Sequence, residues 1–93
     1  RMPSLKYPQC KPYEGMGKVH CLINAILDDY YHGRISADTA KSRLIYLIAL
    51  NRVNNWGPEN AVRSLVYEAI SELPVYKGER LKRSLERYLA VPA

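Results

Sequence analysis

The chain has 93 residues, 47% of them apolar and 25% charged, with two cysteines and a formal net charge of +5. That is enough apolar chain for one domain with a core, which excludes wholesale disorder and a disulfide-dense scaffold. No apolar run approaches the ~20 residues of a membrane span, and the N-terminus lacks the apolar stretch of a secretion signal, so an intracellular, cytoplasmic protein is expected.

Residues 1–17 contain Pro3, Pro8, Pro12, Gly15 and Gly17 and read as an extended, Pro-rich arm, with Arg1 an added residue ahead of a natural start at Met2. Leu5, Tyr7, Tyr13 and Met16 of that arm can pack back on the body. From residue 18 the apolar positions Val19, Leu22, Ile23, Ile26, Leu27 and Tyr30 recur at three and four, which predicts a first helix over 18–32 ended by Gly33. Ser36 caps a second helix over 37–53, with Asp38 on the positive end of its dipole. Its apolar residues spread around most of the circumference, so it is expected to be buried on nearly all sides.

Asn54-Asn55 ends that helix and Gly57-Pro58 opens a third over 58–73, with Val62, Leu65, Val66, Ala69, Ile70 and Leu73 as its apolar stripe and Glu68 and Glu72 outside. Pro74 ends it. A fourth helix is predicted over 78–90, with Leu81, Leu85, Tyr88 and Leu89 on one face and Arg80, Arg83 and Arg87 on the other. The fold class expected is all-α: a compact four-helix domain over 18–93 carrying the extended arm.

Cys10, His20, Cys21 and His32 are competent zinc ligands, but His20 and His32 lie three turns apart on one helix, and adjacent His20 and Cys21 diverge by about 100°. No metal and no cofactor is expected. Cys10 and Cys21 are spaced for a disulfide that would pin the arm to the first helix, while a cytoplasmic location favours free thiols as the default. Asp28 and His32, four apart on a helix, can pair, yet nothing supplies the nucleophile or oxyanion partner that catalysis needs, so no enzyme is expected.

The first two helices have the outline of a helix-turn-helix, with Asp38, Thr39, Lys41, Ser42 and Arg43 facing the groove. Asp38 would repel phosphate there, and the second helix is too apolar to leave the core. Charge points elsewhere. Residues 1–18 carry four cations against one acid and residues 77–93 five against two, whereas residues 55–76 carry three acids against one cation. The partner- or phosphate-binding candidates are therefore Lys77, Arg80, Arg83 and Arg87, with Tyr76 beside them and Tyr7, Lys11 and Tyr13 from the arm. In size and charge the chain is similar to accessory subunits of replication and transcription complexes, a likeness that carries over no residue. The function expected is a non-catalytic protein-binding module, an accessory subunit of a larger complex. The alternative is a direct DNA- or RNA-binding protein using its basic termini, and a homodimer stays open.

Overall fold

A computed structural model describes residues 5–89; the remarks on Arg1, Met2 and Pro3 concern positions outside that range. A 3-10 turn at Pro8–Cys10 precedes four helices, α1 (Gly15–Tyr31), α2 (Ala37–Asn54), α3 (Glu59–Ser71) and α4 (Val75–Leu85), and a second 3-10 turn, Glu86–Tyr88, follows. There are no strands among the described residues. The Cα radius of gyration is 12.2 Å, what a compact chain of this length should have, roughly 12 Å.

The helix ends follow the local chemistry. Gly33 closes α1 at φ +73°, and the Ser36 hydroxyl accepts the Thr39 N–H at 3.1 Å to cap α2. Asn55 ends α2 in the left-handed conformation, its N–H bonded to the Asn51 carbonyl at 2.7 Å. Asn51 itself is buried. Its side chain donates to the Gly57 carbonyl and accepts the Gly57 N–H, both at 3.0 Å, so one amide holds the α2–α3 loop against the core.

Three boundaries or burial patterns differ from those read in the sequence. First, α1 begins at Gly15 rather than residue 18. The preceding segment folds back on the body, as its apolar residues allow: Leu5 and Tyr7 are half-buried and Cys10 is fully buried. Second, α2 touches α1, α3 and α4 but is not buried all round. Ala40, Leu44, Leu47, Ile48 and Asn51 face inward, while Ala49 and Val53 are exposed. Three neighbours cannot close the full circumference of one helix. The largest set of buried apolar residues belongs to α1: Val19, Leu22, Ile23, Ile26, Leu27 and Tyr30.

Third, α4 starts at Val75, one turn earlier than expected, directly after Pro74. Gly78 is therefore no helix start. It is buried inside α4, where a Cβ would come within 2.8 Å of the Ile70 carbonyl oxygen. The missing side chain lets α4 close on the last turn of α3, and Leu81, Leu85 and Leu89 continue the inner face.

Candidate interaction surface

Positions 78, 81 and 85 point into the core, so the opposite side of α4 is presented to solvent. With the helix beginning at Val75, Tyr76, Arg80 and Arg83 fall on one outer stripe, and Arg87 follows four residues later in the 3-10 turn. All four are exposed, Tyr76 at 75%. A helix starting at Gly78 leaves Tyr76 outside that register. Its spacing of four from Arg80 is the signal that Pro74 as the capping residue makes readable.

Lys77 is placed differently. Its ammonium lies 4.8 Å from the centre of the Tyr30 ring and donates to the Tyr30 carbonyl at 3.4 Å, while the Tyr30 hydroxyl donates to the Lys77 carbonyl at 3.1 Å. Lys77 thus ties the start of α4 to the end of α1. Burial pushes the Tyr30 hydroxyl pKa up, against the opposing charge of Arg80. Beside this tie, Tyr76, Lys77 and Arg80 share a shallow cleft with Ile35 of the α1–α2 connection and Ala37 at the start of α2.

The arm candidates line other clefts. Tyr13 is exposed next to Gly17, His20 and Cys21, and Lys11 lies by Leu22, Leu50 and Trp56. Trp56 is half-buried against the core, as a lid would be. Tyr7 is occupied internally. Its hydroxyl donates to Asp29 Oδ2 at 3.1 Å and accepts from Arg43 Nη1 at 2.6 Å. Burial raises the Tyr7 pKa, with Arg43 pulling the other way. Asp29 also accepts from Arg34 Nε at 2.7 Å, and this bond, ahead of the others, holds its carboxyl below the ordinary range. Arm, α1 and α2 are joined by this one network, and Arg43 points into it rather than toward a groove.

The two cysteines are joined. Cys10 and Cys21, with Cα atoms 5.5 Å apart, form a disulfide that fixes the arm to α1, so the free-thiol default does not hold. Both sulfurs leave the set of zinc-competent ligands, and no group of three or more His, Cys, Asp or Glu side chains able to hold a metal occurs among the described residues. Asp28 and His32 do meet, Oδ1 to Nδ1 at 3.2 Å, but Asp28 is also taken by Arg34 Nη2 at 2.6 Å. The group is exposed and serves to tie the end of α1.

A further surface went unread in the sequence. Between α1 and the α3–α4 corner lies an open cleft of about 630 Å³. Leu27, Ala69 and Leu73 line it, with Tyr31, Pro74 and Val75 at its mouth and Asp28 and Glu72 beside them. Val75 is 81% exposed and Tyr31 49%. Two of the exposed large apolar side chains of the described chain thus meet at one corner, with Tyr76 next to them. Arg34 neutralises Asp28, whereas neither Glu72 nor Glu68 has a cation within 4 Å among the described residues. No protein-family model, no curated protein and no solved structure matches this chain significantly, so its own residues carry the functional reading.

Proposed function

We propose that the chain is a non-catalytic binding module, an accessory subunit that docks on a larger protein through the cleft between α1 and the α3–α4 corner. The observation that carries this reading is the gathering of Tyr31 and Val75 over an apolar floor of Leu27, Ala69 and Leu73. Exposed apolar side chains scattered singly need no explanation, but several around one concave surface mark a docking site. The occupant is an amphipathic protein segment with basic residues on its polar side. Its apolar residues cover Val75 and Tyr31, and its cations face Glu72 and Glu68 on the outer side of α3. Such rim pairs contribute on the order of 0–1 kcal/mol each and act mainly by orienting the partner.

The test is capture from an extract of the source cells by the immobilised chain, compared with its Val75→Glu variant. The expected result is a stoichiometric partner retained by the unmodified protein and lost with Val75→Glu, at unchanged helicity. Cross-links from the cleft should map to a Lys- or Arg-bearing amphipathic segment of that partner. A partner held equally by both forms, or no stoichiometric partner, would remove the cleft as the docking site.

A further inference from the structure

The pairing of the arginines separates α4 from the rest of the molecule. Arg34, Arg43, Arg52 and Arg63 each have a carboxylate within 4 Å, from Asp28, Asp29 or Glu59. Arg80, Arg83 and Arg87 have none among the described residues, although Glu79 and Glu86 stand on the same stretch of chain within helical reach. The arginines that join elements are paired; those along the outer stripe of α4 and the turn after it have no carboxylate partner among the described residues.

The stripe has a direction and a head. At 1.5 Å per residue in α4 and about 2 Å per residue in the 3-10 turn, Tyr76 to Arg87 spans roughly 17 Å, with steps of about 6, 4.5 and 7 Å between successive residues. Strand residues rise by about 3.4 Å when stacked, so this length matches about five nucleotides. A guanidinium takes a phosphate with two parallel N–H donors. The exposed Tyr76 ring at the head offers the flat apolar face on which an unpaired base stacks.

Two features favour one strand over a duplex. The cationic line is a single side chain wide, and Glu79 and Glu86 border it on the flank where Lys82 lies over the Tyr67 ring at 4.8 Å. Acid there leaves room for one row of phosphates and repels a second. In a duplex the bases are also stacked inward and would leave Tyr76 without a partner. We infer that α4 and the 3-10 turn after it bind single-stranded nucleic acid along Tyr76, Arg80, Arg83 and Arg87, with phosphates on the arginines and a base on the tyrosine. Tyr76 borders the docking cleft, but none of the four residues lines it.

The experiment uses the whole chain and fluorescence anisotropy with labelled 15-nucleotide single strands of DNA and RNA and a 15-base-pair duplex, at 50 and 200 mM salt. Three phosphate contacts on a single strand give a log–log salt slope near about −2, so affinity should fall about 20-fold between the two conditions. Arg80→Gln with Arg83→Gln should bring the slope to about −0.7. Tyr76→Ala should weaken binding by roughly 5- to 150-fold, the loss of one stacked base, at unchanged slope. Arg80→Lys with Arg83→Lys should keep the slope, and Lys11→Gln should change nothing. All these side chains are outside the core, and circular dichroism confirms folding of each variant. The inference is overturned by absence of single-strand binding at 50 mM salt, by tighter binding of the duplex, or by an unchanged slope in the Gln double variant. Displacement by a poly-glutamate peptide as effectively as by the oligonucleotide would also overturn it, assigning the stripe to an acidic protein.

Discussion

Replacing Gly78 with alanine distinguishes local propensity from tertiary contact. In an isolated helix the change should stabilise by about 1 kcal/mol, because glycine loses more backbone freedom on folding. In this molecule the new Cβ would lie 2.8 Å from the Ile70 carbonyl oxygen, with Leu73 Cβ at 3.7 Å. An ordinary carbon–oxygen contact is about 3.3 Å or more, so α4 must retreat from α3 by roughly 0.5 Å. The oxygen belongs to backbone in the last turn of α3 and cannot rotate aside. Overpacking of this kind costs about 1–3 kcal/mol, which leaves a net destabilisation of about 1 kcal/mol after the propensity gain. For a domain of this size the melting temperature should drop by roughly 4–8 °C.

Gly17→Ala is the matched comparison, since its Cβ would meet only Tyr13 at an ordinary 3.8 Å. That variant should gain about 0.5–1 kcal/mol and melt higher. Thermal and urea unfolding followed by circular dichroism measure both. If Gly78→Ala is as stable as the unmodified protein or more so, the close approach of α3 and α4 is wrong.

Removing the bridge with Cys10→Ser and Cys21→Ser should cost about 3 kcal/mol, from the entropy of a roughly 12-residue loop released in the unfolded state. Dithiothreitol should lower the melting temperature of the unmodified protein toward that variant and leave the variant unmoved. Disulfides persist in oxidising compartments and inside hyperthermophiles, so thiol counting on freshly isolated protein also bears on where the chain resides. Glu59 is held down to about 2 by hydrogen bonds from Arg52 first and then Arg63, against a usual value of 4.5. Its folded pKa is depressed, so its contribution is complete above pH 4.5 and is lost as pH falls toward 2. Glu59→Gln should therefore flatten the loss of stability with acid in that window, read as melting temperature against pH. Asn51→Ala strands the N–H and carbonyl of Gly57 in a part-buried loop and should cost about 1–3 kcal/mol by urea unfolding.

Periodicity and caps determine most of the fold. Val19 to Tyr30, the Ser36 cap, the left-handed Asn55 and the stripe ending in Ile70 are local signals, and a helix is closed by local hydrogen bonds. Arg80, Arg83 and Arg87 were legible as one face for the same reason. What the tertiary structure decided are the matters that depend on neighbours. Leu, Ile and Val around α2 do not say which side stays open, because burial depends on where α1, α3 and α4 pack. Gly78 read as a helix boundary on its own chemistry and proved to be a contact, since only α3 reveals why a Cβ is excluded there. That shift of one turn brought Tyr76 into line with the arginines. Spacing alone permits a Cys10–Cys21 bridge, but the folded-back arm is what brings the two Cα atoms within bonding range. The cleft under Tyr31 and Val75 joins residues more than 40 positions apart, and only the fold pairs Arg34, Arg43, Arg52 and Arg63 with acids while leaving Arg80, Arg83 and Arg87 without one among the described residues.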